Sequence, residues 1–171
     1  KDYFTQKFDS LNLPHKYFNF ELNSIHEIMD LIETQKDLRG LNVTIPFKES
    51  IIPHLDEIDP IAAQIGAVNT VSITEGKLKG FNTDAFGFKQ LIKPFFKGHH
   101  ERALILGSGG ASKAVRFVLE NLGVECNTVS RNPDTTQLNY NQLNNHVLNA
   151  HLLIVNTTPL GMFPTINACP N

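Results

Sequence analysis

The chain has 171 residues, 41% hydrophobic and 19% charged, with a formal net charge of −2. These are ordinary proportions for a globular protein able to bury one core or two small ones. The near-neutral charge and the lack of basic runs exclude the electrostatic footprint of a nucleic-acid binder or of a protein drawn to anionic membrane. Apolar runs such as "ALIL" and "LLIV" are far too short to cross a bilayer, and Cys126 and Cys169 lack both zinc spacing and a disulfide framework.

In chain order, residues 3–13 are predicted helical, with Phe4, Phe8 and Leu11 at helical spacing. "HKYFNFEL" alternates as a strand does. Asn23 or Ser24 is placed to cap the helix "IHEIMDLIET", whose Ile25, Ile28, Met29 and Ile32 form one apolar stripe read as core. "GLNVTI" reads as a strand that Pro46 ends, and "KESIIPHLD" as a helix that Pro53 kinks or stops. "IAAQIG" is a short helix closed by Gly66. "AVNTVSIT" and "KLKGFN" flank "EGK" as a hairpin, and "DAFGFKQLI" follows as a helix starting near Thr83 or Asp84.

After the linker-like "KPFFKGHHER" the texture changes. "RALILG" reads as a buried strand, "SGGASKAVRFVLENLG" as a loop entering a helix, and "VECNTVSRN" as a second strand. Residues 137–149 read as another helix and "HLLIVNTT" as a third strand. Strands alternating with helices imply right-handed βαβ units and a parallel sheet.

Local chemistry concentrates in two places. In "LILGSGGASKAV" a strand ends at Gly107, and Gly109 and Gly110 precede a helix. Such glycines permit a tight turn and a close backbone approach to a pyrophosphate, which the helix N-terminus then favours. Ser112 takes the third glycine position and is small enough for close helix–strand packing. At the end of the second strand, where NAD sites usually carry an acid, stand Ser130, Arg131 and Asn132. A guanidinium there favours a 2′-phosphate, hence NADP, although a solvated loop arginine is the plainer alternative. In "NVTIPFK", Lys48 follows a strand and a proline turn, where a lysine can give a proton to a carbonyl and take it back. A first-helical-turn position would lower its pKa through the helix dipole, and a nearby Asp84 would raise it. Asn69 and Asp84 offer groups to hold a substrate hydroxyl. Singly, these residues are as readily a surface lysine, a turn residue and a helix cap.

Together, "GLNVTIPFK", "IGAVNTV", "GFNTDAFGF", "GSGGASKAV" and "NTTPLGM" resemble, in order and spacing, the shikimate dehydrogenase family. The resemblance implies an α/β fold: an N-terminal α/β substrate domain (1–84), a connecting helix and linker (85–101), and a truncated Rossmann-type parallel-sheet domain (102–171). It implies a cytoplasmic, NADP-dependent enzyme interconverting 3-dehydroshikimate and shikimate, with a small-molecule substrate and no nucleic-acid, membrane or metal partner. By the family's pattern Lys48 and Asp84 are catalytic, and Thr44 and Asn69 join them in binding substrate. Gly107, Ser108, Gly109, Gly110 and Ala111 match the pyrophosphate loop. Ser130, Arg131 and Asn132 match the adenosine-phosphate segment, and Thr157 a turn beside the cofactor. The family's Ser-x-Ser carboxylate motif and its C-terminal segments have no counterpart, so a piece of a longer protein is expected. The adenosine segment has no second base after Arg131 but an acid, Asp134, so an NAD-using quinate/shikimate dehydrogenase stands as the alternative. A nucleotide-binding piece without turnover is another.

Overall fold

The structure, a computed structural model, describes residues 1–164 and 166–170. The chain forms two compact units, residues 1–36 and 37–171.

In the first unit, helix α1 spans Asp2–Ser10 and helix α2 spans Glu27–Thr34. Phe4 stacks on Tyr17 with ring centroids 4.8 Å apart, and Phe8 meets the edge of His15 at 5.5 Å. These rings order α1, which buries none of its own residues. Between the helices the expected strand at 15–22 does not form: the segment joins no ladder among the described residues. Alternation gives a segment two faces, whereas a strand also needs a hydrogen-bonded neighbour. The start of α2 differs as well. It begins at Glu27 rather than beside Asn23 or Ser24, and His26 is its N-cap, with no side-chain cap. Ser24 Oγ instead accepts from His26 N at 3.3 Å. Of the predicted apolar stripe only Ile28 is fully buried.

The second unit holds two four-stranded sheets. The first contains β1 (Gly40–Asn42), β2 (Glu57–Ile58), β3 (Thr70–Thr74) and β4 (Lys77–Phe81), in the order β1-β3-β4-β2. β3 and β4 form the predicted hairpin, turning at Glu75 and Gly76 with φ of 52° and 77°. Both lie in the left-handed region that a tight two-residue hairpin turn demands. Helix α3 (Pro60–Ile65) has unambiguous ends. Asp59 accepts from the amides of Ile61 and Ala62, Pro60 supplies a first-turn residue that needs no partner, and Gly66 closes the helix at φ 70°. The helix expected from Lys48 does not form. Residues 45–51 are a run of turns, followed by a single 3-10 turn at Ile52–His54. An α-helix would require the Lys48 carbonyl to accept from Ile52 N. It accepts from Val68 N instead, at 2.7 Å, while Ile52 N reaches Glu49 O at 3.2 Å.

The second sheet contains β5 (Arg102–Leu106), β6 (Glu125–Ser130), β7 (Leu138–Asn139) and β8 (Leu153–Asn156), in the order β7-β6-β5-β8, all neighbours parallel. Its first two strands progress one way from β5, and β8 returns to the other side. That reversal is the topological switch point where α/β sheets bind ligands. Helix α4 (Asp84–Ile92) precedes this sheet and α5 (Gly110–Asn121) follows β5. The helix expected over 137–149 is cut short, leaving β7, a 3-10 turn at Tyr140–Gln142, and α6 (Asn145–Ala150). Asn139 and Asn144 cause the break, since each side chain caps a separate start.

The core of this unit is built around α5. Val115 and Leu119 pack with Ala103, Ile105, Val124 and Cys126 beside the second sheet. Ala114 and Val118 pack with Ile65, Ala67 and Ala85 of the first half. One helix therefore serves both the second sheet and the α3–α4 side of the unit.

Candidate active site

Three of the four predicted substrate-side residues come together. Lys48 Nζ donates to Asp84 Oδ2 at 2.7 Å. Asn69 Nδ2 donates to the other carboxylate oxygen at 2.8 Å and to Thr83 Oγ1 at 2.9 Å. Asn69 Oδ1 accepts from Thr83 N at 2.9 Å and from Thr70 Oγ1 at 3.0 Å. The lysine side chain is only 16% exposed, against 35% for the aspartate, so the pair sits at a recessed surface with its carboxylate side open. Asp84 is thus oriented from both ends, and it starts α4. The cap of that helix is one of Asn82's tasks: its Oδ1 accepts from Ala85 N at 3.1 Å, and its Nδ2 donates to Ala67 O at 2.9 Å. Thr44 is exposed at the start of the Lys48 turn, where its carbonyl accepts from Phe47 N at 2.8 Å. Among the described residues it is not bonded to the other three.

The Lys48 turn does not stand on a helix of its own; it touches the N-terminus of α5. A Cβ built on Gly110 would lie 2.9 Å from Lys48 Cβ and 3.3 Å from Ala67 Cβ. Only glycine lets the backbones approach so closely. A second tie runs alongside: Lys113 Nζ, on the first turns of α5, donates to Glu49 Oε2 at 2.5 Å. Glu49 and Lys113 had no signal in the sequence, and Thr83 only that of a helix start, because the bonds that give them meaning join residues far apart in the chain.

The glycine turn is equally constrained. Gly107 has φ 109°, and a Cβ there would lie 2.8 Å from Thr157 Oγ1. Thr157 is bound to the same turn, donating through its amide to Leu106 O at 2.9 Å and through Oγ1 at 2.7 Å. Gly109 is the extended N-cap of α5, and Ser112 Oγ donates to its carbonyl at 2.7 Å. Gly110 and Ala111 supply the amides of the first turn. Ser108 and Ser130 bring their hydroxyls within 3.3 Å, joining the glycine turn to the end of β6. Ser130 Oγ also accepts from Asn132 N at 3.3 Å. Arg131 is exposed beside Tyr140: burial pushes the tyrosine hydroxyl above its usual range while the guanidinium pulls it back. Asp134 is turned into its own loop. Thr136 donates to it through N at 2.8 Å and Oγ1 at 2.7 Å, and these bonds hold the carboxyl below its usual range. Gln137 Nε2 takes the other oxygen at 2.7 Å. Among the described residues no cluster of three potential metal ligands occurs, and no helix is long and apolar enough to cross a membrane.

A parallel sheet with a glycine turn at its switch point, beside a lysine–aspartate pair held by a second sheet, defines a two-part α/β protein of Rossmann type. The model of the shikimate dehydrogenase substrate binding domain family matches residues 2–71. A shikimate dehydrogenase (NADP(+)) of Staphylococcus epidermidis is 41% identical over 167 residues, covering 91% of this chain and 61% of that protein. The crystal structure of shikimate dehydrogenase 1 from Peptoclostridium difficile superposes with a TM-score of 0.84 at 34% identity, over 99% of this chain and 65% of that one. That of Thermus thermophilus shikimate 5-dehydrogenase, in complex with NADP(H) and shikimate, gives 0.77 at 34% identity, over 95% and 64%. The chain belongs to the shikimate dehydrogenase family, and it spans 61% to 65% of the length of these relatives.

Proposed function

We propose that this protein catalyses the reversible, NADP-dependent interconversion of 3-dehydroshikimate and shikimate. The carrying observation is the Lys48–Asp84 pair, 2.7 Å apart and buttressed by Asn69, next to the N-terminus of α5. A dinucleotide bound on the glycine turn would supply or accept the hydride. The residues there suit it: Gly107 makes a turn packed so closely on Thr157 and Thr158 that no side chain fits, and the first-turn amides of α5 fit a pyrophosphate. In the reducing direction Lys48 donates a proton from Nζ to the substrate carbonyl oxygen as that carbon becomes a carbinol. In the oxidising direction Nζ takes the proton back. Asp84 accepts from the ammonium and presents its open side to a substrate hydroxyl, with Asn69 fixing the carboxylate plane. Thr44, on the exposed lip of the same turn, contributes a further hydroxyl to the substrate. Arg131 grips the 2′-phosphate in this reading, with Asp134 withdrawn into its loop rather than opposing it. The protein acts on a small molecule, without nucleic-acid or membrane partners, in the cytoplasm.

The test is shikimate-dependent reduction of NADP, with Lys48→Ala alongside. Loss of a general acid–base group should lower kcat by roughly two orders of magnitude or more while nucleotide still binds. A variant with full turnover but collapsed shikimate affinity would make Lys48 a binding residue only.

A further inference from the structure

Parallel neighbours normally need a crossover of about a dozen residues or more, usually a helix, that covers one face of the sheet. Here only residues 131–137 join β6 to β7, and no helix forms in that crossover. The groove left there is mixed in character. It holds a pocket of about 280 Å³ whose lining includes Ser108, Lys113, Arg116 and Thr128 beside the Cys126 side chain. Thr128, on β6, is only 6% exposed. An interior left uncovered for want of a helix would ordinarily show mainly hydrocarbon; this one sets hydroxyls and cations among its apolar surface.

We infer that this pocket receives the 2′-phosphate of the dinucleotide, and that Arg116 is a second, specificity-determining cation for it. The inference rests on the dinucleotide reading above. Three observations carry it. First, the pocket begins where the adenosine end would lie, because Ser108, one of its lining residues, is 3.3 Å from Ser130 at the end of β6. Second, Arg116 is held facing it. Nη2 donates to Thr128 Oγ1 at 2.7 Å and Nη1 to Glu120 Oε1 at 3.0 Å, leaving other donors of a five-donor fork for an anion. Third, the nearby acid that would repel a phosphate, Asp134, has both oxygens engaged within its own loop. Lys113 and Arg116 each hold a carboxylate, Glu49 and Glu120, but the guanidinium keeps further donors with which to answer the phosphate from the α5 side.

The experiment is calorimetric titration of the full chain with 2′,5′-ADP and with 5′-AMP, for the wild type, Arg116→Gln and Arg116→Lys. Arg116→Gln should weaken 2′,5′-ADP roughly ten-fold or more while leaving 5′-AMP within about two-fold, and Arg116→Lys should keep part of the discrimination. The 5′-AMP arm verifies that each variant is folded. An unchanged ratio of the two ligands in Arg116→Gln, with wild-type binding intact, overturns the role of Arg116 but not the cofactor reading. Wild-type protein that binds neither ligand overturns both. Inorganic phosphate is run as competitor: phosphate that saturates the pocket while 2′,5′-ADP and 5′-AMP bind the wild type equally would make it a free-anion site and refute the assignment.

Discussion

Gly110→Ala isolates the contact that ties the two halves of the site. The new methyl would stand 2.9 Å from Lys48 Cβ, whereas carbon atoms settle at about 3.5–4.0 Å, so something must retreat by roughly 0.6 Å or more. The retreat cannot be a flexible side-chain tip, because Lys48 Cβ follows a backbone pinned by the 2.7 Å bond from Val68 N to Lys48 O. Ala67, the other neighbour at 3.3 Å, is fully buried. The turn must therefore carry Lys48 away from α5, and Nζ with it. Overpacking of this kind costs about 1–3 kcal/mol, but alanine in the first turn of a helix recovers about 0.4–1 kcal/mol from the unfolded state. The net loss of stability should be small, near 1 kcal/mol. A sub-ångström displacement of an acid–base group matters more, with rate losses of order ten- to a hundred-fold. Melting temperature, NADPH affinity and kcat measured on one preparation decide the matter. Near-native melting and cofactor binding with kcat down at least ten-fold is the expected result. A variant with wild-type kcat would refute the claim that Gly110 sets the lysine's position.

Asn69→Ala should lower kcat by about ten-fold or more and stability by about 1–3 kcal/mol, since it releases Asp84 Oδ1 and leaves Thr83 N without its acceptor; kinetics and urea unfolding report the two effects. Gly107→Ala combines φ 109° with a methyl 2.8 Å from Thr157 Oγ1, so nucleotide affinity should fall by more than ten-fold; equilibrium binding of NADPH checks it. Cys126 is buried and its thiol is pushed up to about 11, whereas Cys169 is exposed, so a thiol reagent at pH 8 should modify one cysteine rapidly in the native protein and both after denaturation. Burial disfavours the Cys126 thiolate, so the unfolded chain, titrating near 9.0, loses its proton first. Stability should therefore decline as pH rises from about 9 towards 11, and a Cys126→Ala variant should lack that part of the decline.

Elements governed by their own few residues were legible in the sequence. Glu75–Gly76 dictates a hairpin, Gly66 ends its helix, and the glycines after "RALIL" make a turn into α5. Features decided by a distant partner were not. The alternation at 15–22 found no neighbour to ladder with. The helix expected from Lys48 was pre-empted by Val68, which takes the carbonyl the helix required. Over 137–149 the sequence held the answer in plain view, because Asn139 and Asn144 are both capping residues and two caps imply two starts. The cluster of Lys48, Asn69 and Asp84 could be suspected only as a set, since no local rule brings residues 48 and 84 within 2.7 Å.

The double use of α5 bears on how the molecule comes apart. A helix that lends Val115 and Leu119 to the second sheet and Ala114 and Val118 to the cluster of Ile65, Ala67 and Ala85 cannot leave either core without opening both. Amide hydrogens in α3 and β5 should then exchange with solvent in a single sub-global event rather than in two. Under the proposed function, the acid–base pair and the nucleotide turn would share one lifetime: whatever melts the turn that would cradle a pyrophosphate also disperses the proposed proton donor.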